Sequence, residues 1–196
     1  MKQESGFTLV ELMIVIGVAA VLMAIAIPGI LGWLPDYRLK GAANDLFSNL
    51  QWTKLNAVKA NKDWAVVFDT ANGRYYICSD SGDDNDWSTV FGAPEVKNKV
   101  ERTVDFAQYD SGVGYGSGSA ITNATSGGGA LPGDNVSYQC TLCSPNESNV
   151  LVFDSRGTCE AGYAYLDNNN NSLSYAVGTR VSGVILMHRW AGAAWN

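Results

Sequence analysis

Apolar positions run unbroken at the start of the chain, recur at helical spacing in the next stretch, and alternate after that. From Leu12 to Leu34 no residue is charged, a run of 23 positions. As a helix it would extend roughly 35 Å at about 1.5 Å per residue, enough for a hydrocarbon core of about 30 Å. Beyond it, Leu39, Ala43, Leu46, Phe47, Leu50, Ala57 and Val58 follow steps of three and four and mark one apolar stripe. Arg38, Lys40, Lys54 and Lys59 fall mostly off that stripe. Pro28, Gly29, Gly32 and Pro35 lie between the two regions and weaken helix there, with Pro28 the expected kink. The pattern predicts one long, kinked helix ending near Asn61.

From Trp64 the period becomes two. Residues 64–69 and 74–78 read as a hairpin across Asn72-Gly73, and residues 96–106 as a further strand. Residues 149–153, 162–166, 173–177 and 183–190 continue the β pattern to the end of the chain, with Asp167–Asn171 as a turn. Residues 111–133 are dominated by Gly, Ser, Thr and Ala and read as a mobile surface loop, too flexible to carry a core. The fold class is therefore α+β, a long N-terminal helix whose second half packs on a C-terminal antiparallel β domain.

The first apolar run also fits an ordinary signal peptide, with Ala24-Ile25-Ala26 as a cleavage site. Two residues argue against that. Glu4 cancels Lys2, so the leader is barely basic, and Glu11 places a carboxylate inside the run, which costs free energy in a membrane and calls for a partner. The stretch Gly6-Phe7-Thr8-Leu9-Val10-Glu11-Leu12 resembles the class III signal of type IV pilins and type II secretion pseudopilins. The resemblance implies cleavage by a prepilin peptidase between Gly6 and Phe7 and N-methylation of Phe7. It also implies pairing of Glu11 with the terminal amine of a neighbouring subunit. Residues 1–6 would be the leader, 7–34 the membrane and filament-core helix, 35–62 its amphipathic continuation, and 63–196 the globular domain. Val150–Gly157, the hairpin after it and the strand ending in Arg189-Trp190 resemble the minor pilins of the GspH/FimT type. That resemblance implies a structural subunit in the bacterial inner membrane, its C-terminal domain periplasmic, assembled with other pilin or pseudopilin subunits.

Some members of that group bind DNA through a glycine-arginine-x-arginine motif. Here Gly178-Thr179-Arg180-Val181 has a single arginine, one place late, which leaves Arg180 and Arg189 as nucleic-acid candidates for an alternative tip-located adhesive or DNA-capturing role. A net charge of −6 weighs against it. An exported enzyme finds little to stand on: His188 is the only histidine, and G-x-S-x-G, H-E-x-x-H and P-loop motifs are absent. No cofactor is implied.

Four cysteines, Cys78, Cys140, Cys143 and Cys159, follow the apolar run, and in an exported domain they read as up to two disulfides with three possible pairings. Cys140-x-x-Cys143 also admits zinc, with Cys78 and Cys159 completing the set, or redox chemistry. Haem attachment fails because Ser144 stands where a histidine is needed. Asp80, Asp83, Asp84 and Asp86 offer hard oxygen ligands that calcium could use, without EF-hand spacing. A solvated acidic loop is the plainer reading.

Overall fold

The computed structural model describes residues 7–88, 98–110, 112–125, 128–141, 143, 146–168, 170, 173–190 and 192–196. The chain divides into two compact units, Met1–Leu34 and Pro35–Asn196. Helix α1 covers Leu9–Ala60 and is helical throughout, so neither Pro28 nor Pro35 ends it. Pro28 falls inside this span, and its side chain lies outside the described residues.

The helix stops for a local reason. Asn61 takes a left-handed conformation at φ 51°. Its N–H donates to the Val58 carbonyl at 3.3 Å, and the Lys62 N–H donates to the Ala57 carbonyl at 3.2 Å. That pair of bonds is a Schellman motif, which satisfies carbonyls the helix would otherwise leave open.

Two four-stranded antiparallel sheets and a small third one follow the helix in the second unit. The first sheet holds β1 (Trp64–Asp69), β2 (Arg74–Asp80), β3 (Lys99–Asp105) and β7 (Val150–Phe153) in the order β3-β2-β1-β7. The second holds β4 (Gly114–Tyr115), β8 (Gly162–Asp167), β9 (Ser174–Thr179) and β10 (Ile185–Trp190) in the order β10-β9-β8-β4. Strands β5 (Gln139–Cys140) and β6 (Glu147–Ser148) pair with each other. The hairpin turn between β1 and β2 closes at Gly73, at φ 64°.

The predicted stripe of α1 is the inner wall of the main core. Leu39, Ala43, Leu46, Leu50 and Ala57 are fully buried there with Val66, Phe68, Tyr75, Ile77, Leu151, Leu166 and Val177. Val58 is an exception at 45 % exposed. Polar pairs, the first of them buried, fix the helix on the sheet. The Asn49 amide donates to the Tyr75 hydroxyl at 2.7 Å, Arg102 donates to the Asn49 carbonyl oxygen of the side chain, and the Arg102 guanidinium lies 4.8 Å from the Trp52 ring centroid.

Strands β1 and β9 are buried on both faces rather than alternating. The reason is an extra cover on each sheet. Trp64, Val66 and Phe68 face the helix, whereas Ala65 and Val67 join Tyr76, Cys78, Trp87, Cys140 and Val150 in a second apolar cluster beneath β5. On the second sheet, Tyr163, Tyr165 and Ala176 are covered by Ala124, Leu131 and Trp195.

That last contact corrects the expectation of a mobile loop over residues 111–133. Val113 reaches the main core and Gly114–Tyr115 is a strand of the second sheet. The Ala124 N–H donates to the Tyr165 hydroxyl at 3.0 Å, Trp195 Nε1 donates to the Thr122 carbonyl at 2.7 Å, and the Gly118 N–H donates to Asp167 at 3.0 Å. Small residues here allow the backbone to lie close against a neighbouring sheet, which composition alone reads as flexibility. Residues 111, 126 and 127 of this stretch lie outside the described residues.

Candidate functional site

The first unit presents the strongest candidate. Thr8 precedes the helix and Glu11 sits in its first turn. The Glu11 N–H donates to Thr8 Oγ1 at 3.2 Å, and the Thr8 N–H donates to Glu11 Oε2 at 3.3 Å. The Thr8 hydroxyl also lies 3.2 Å from Glu11 Oε2. This is a reciprocal capping box, which satisfies two orphan amide donors and puts a carboxylate at the positive end of the helix. Thr8-x-x-Glu11 before an apolar run carries that signal in the sequence itself.

Behind the cap, Leu9–Ile27 is long and apolar enough to cross a membrane, with mean hydropathy 2.8 and no residue of the span buried. Leu9, Met13, Ile16, Val21 and Ile25 are all well exposed. With Val10, Leu12, Ile14 and Val15 exposed as well, the apolar side chains point around the whole circumference, so the segment is built for an apolar medium or apolar neighbours on every side rather than for one packed face. Phe7, the expected new terminus, is described and exposed; Gly6, the expected cleavage position, lies outside the described residues.

The cysteine expectations resolve in part. Cys140 and Cys143 form a disulfide, whereas Cys78 and Cys159 are free. A second disulfide is therefore a correction, and so is a four-cysteine zinc site, since two of its ligands are bonded to each other. Topology gives the reason. Cys78 is fully buried on β2 under the second cluster, whereas Cys159 packs against the main core, its Sγ 3.4 Å from the Arg180 carbonyl.

Among the described residues no three of His, Cys, Asp and Glu stand together as a metal set. The calcium candidates are turned to local work. Asp80 accepts from the Gly82 N–H at 3.1 Å and meets Lys62 at 3.2 Å. Asp84 accepts from the Asp86 N–H at 3.2 Å, and Asp86 from the Ser88 N–H at 2.8 Å. Asp83 joins no such set.

Nor does the fold bring Arg180 and Arg189 together. Arg189 stands opposite Tyr175, on the face of the second sheet turned to the main core. Arg180 lies in the turn before β10, where its charge acts on Tyr163 and His188, which belong to the opposite face. Two cations on opposite faces of one sheet do not make a shared phosphate site. Burial, and then the Arg180 charge, lower the His188 pKa, and its ring lies 5.9 Å from that of Tyr163.

A cleft of about 1180 Å³ opens beside β5, lined among others by Lys62, Trp87, Cys143, Asp154, Cys159 and Glu160. Asp154 anchors its rim. Burial opposes ionisation of this carboxyl, but the Thr158 hydroxyl and N–H and the Arg156 guanidinium and N–H all donate to it, and together they hold its pKa at about 2. A depressed folded-state pKa stabilises the fold above the unfolded value near 3.9 and loses that stabilisation as pH falls toward 2. Asp154→Asn should therefore be less stable than the parent by roughly 1 kcal/mol at pH 7, with the gap closing between about pH 4 and pH 2. Urea denaturation at pH 7 and pH 2.5 checks it, and an equal gap at both values would refute the assignment.

The turn before β10 packs against the Asp154 turn and rests on α1. Gly183, at φ 70°, leaves no room for a Cβ, which would overlap the Gly157 carbonyl oxygen, and Lys54 Nζ donates to the Gly183 carbonyl at 2.9 Å.

Residues 1–27 match the prokaryotic N-terminal methylation motif. The match covers the capping box and the apolar span. The solved structure of the minor pseudopilin EpsH from the Type 2 Secretion System of Vibrio cholerae is similar to the chain. Its TM-score is 0.47 at 12 % identity, over 80 % of this chain and 98 % of that one. No curated protein matches the chain.

Proposed function

We propose that this chain is a structural subunit, a minor pilin or pseudopilin, of a type IV pilus or a type II secretion pseudopilus. The observation that carries the reading is the methylation motif over residues 1–27 leading into a helix of exposed apolar side chains headed by a positioned carboxylate. Prepilin peptidase would cut after Gly6 and methylate Phe7. Residues 7–34 would hold the subunit in the inner membrane, with the β domain on the periplasmic side, until it enters the filament.

The capping box gives the assembly step a physical basis. Cleavage creates an ammonium at Phe7, one residue before the Thr8 amide. The Glu11 carboxylate is already held by Thr8 at the helix start, so its side-chain entropy is largely spent before a neighbour arrives. In apolar surroundings an unpaired carboxylate or ammonium is costly, and pairing the two removes most of that cost.

Mass spectrometry of the mature N-terminus, from membranes or sheared filaments, tests the reading. A chain starting at a methylated Phe7, roughly 14 Da heavier than the unmodified form, supports it. A start at Ile27 would mean ordinary signal-peptide cleavage and overturn it. Glu11→Ala should still be processed but should enter filaments several-fold less well when expressed beside the wild-type chain, scored by immunoblot of sheared filaments. Equal incorporation would remove the proposed role of Glu11.

A further inference from the structure

Three of the four cysteines meet in one apolar cluster, although they come from distant parts of the chain. Cys78 lies on β2 opposite Ala65 of β1, and Ala65 in turn lies opposite Val152 of β7. This row belongs to the face of the first sheet turned away from the helix. Strand β5 lies over that face and brings Cys140 into the same cluster as Cys78, with Cys143 packed at its margin. Cys78 is fully buried and Cys140 is 1 % exposed, whereas Cys143 is partly exposed and lines the cleft. A free thiol and a disulfide thus share one dry compartment.

We propose that Cys78, Cys140 and Cys143 form a thiol–disulfide exchange unit in which the bridge passes from Cys140–Cys143 to Cys78–Cys140. The Cys78 thiol gives its proton to solvent, and its sulfur attacks Cys140 Sγ. The Cys78–Cys140 bond forms, the Cys140–Cys143 bond breaks, and Cys143 leaves as a thiolate that takes up a proton. One disulfide is exchanged for another, so no oxidant or reductant is consumed.

Loop closure favours the exchange. The present bridge joins residues 3 apart in sequence and constrains little of the unfolded chain. A Cys78–Cys140 bridge would close a far longer loop, and the entropy removed from the unfolded state grows with loop length. Kinetics oppose it. Burial pushes the Cys78 thiol up to about 12, so the attacking thiolate is scarce near neutrality and the closed fold holds the exchange back. The product differs in function as well as in bonding: the exchange delivers a Cys143 thiol to the cleft that Cys159 also lines. A thiol there would suit exchange into a partner's disulfide, one partner sulfur leaving as a thiolate.

The test uses the full chain in detergent. It is incubated at pH 7 and pH 9 with a trace of reduced glutathione, quenched in acid, alkylated and mapped without reduction. A linked Cys78–Cys140 peptide pair should appear with Cys143 alkylated. Its initial rate should rise on the order of 100-fold between the two pH values, following the thiolate fraction. Cys143→Ser, exposed to glutathione disulfide as oxidant, should form the same link, and Cys159→Ser should behave like the parent. The proposal is overturned if wild type shows only Cys140–Cys143 at both pH values while Cys143→Ser ends with Cys140 glutathionylated and Cys78 free. A link that forms only after unfolding in urea overturns it equally.

Discussion

Gly6→Glu should leave the chain unprocessed in membranes, with residues 1–6 still attached. A peptidase must bring its catalytic groups against the backbone at the scissile bond, and glycine lets it do so because no Cβ stands in the way. Glutamate adds bulk and a charge at a position inside the matched residues 1–27. The effect reaches beyond processing. On the proposed reading, without cleavage there would be no ammonium at Phe7, and the Glu11 carboxylate of a neighbouring subunit would meet an uncharged peptide bond in an apolar environment. Filament incorporation should then fall below that of Glu11→Ala, which loses only one partner of the pair. Immunoblot of membranes and intact-mass measurement check the first step. Normal removal of residues 1–6 from Gly6→Glu would sink the prepilin reading itself, whatever the filaments show.

Much of this architecture is legible in the residues. The helical stripe from Leu39 to Ala57 becomes the inner wall of the core because spacings of three and four can face only one way. Asn72-Gly73 closes its hairpin for an equally local reason, the left-handed conformation at Gly73. The long strands of both sheets start and stop within a few residues of where alternation places them.

What fails to show in the sequence depends on contacts between distant segments. Strands β4, β5 and β6 are two residues each, too short for any period to register, and exist because longer strands offer them an edge or a face. Their consequences are large. Once β5 covers the outer face of the first sheet, Ala65, Val67 and Cys78 become interior positions. The glycine-rich stretch shows the reverse case, since its low complexity conceals Val113, Ala124 and the Thr122 carbonyl, each held by a side chain far away in sequence. The candidate site divides in the same way. Phe7 and Glu11 follow from a local motif, whereas the cysteine pairing and the separation of Arg180 from Arg189 are settled by sheet topology.

Tyr138 concentrates that non-local information, and Tyr138→Ala should cost about 3–5 kcal/mol of domain stability. Nothing in its neighbourhood, Val136-Ser137-Tyr138-Gln139, marks it as a keystone. It is buried, its ring stacks on Phe68 of the first sheet at 5.3 Å and 4°, and its carbonyl accepts from the Asn149 N–H at 2.9 Å. On its other side are Gly162 and Thr179 of the second sheet. A Cβ at Gly162 would come within 2.6 Å of the Tyr138 ring, and the Thr179 hydroxyl lies 3.3 Å from its own. The ring therefore fills the joint between the two sheets, and its removal opens a cavity that neither sheet can close without moving the other. Against a total stability of about 5–15 kcal/mol, the loss should lower the melting temperature of the Pro35–Asn196 unit by on the order of 10 °C. Tyr138→Phe separates the ring from its hydroxyl. It keeps the stack and should cost only about 1 kcal/mol, with no pH dependence near neutrality, because burial raises the phenol pKa and keeps it protonated. If Tyr138→Ala costs no more than Tyr138→Phe, the two sheets are held together elsewhere. If both are severe, the hydroxyl contact to Thr179, rather than the stacked ring, is what binds one sheet to the other.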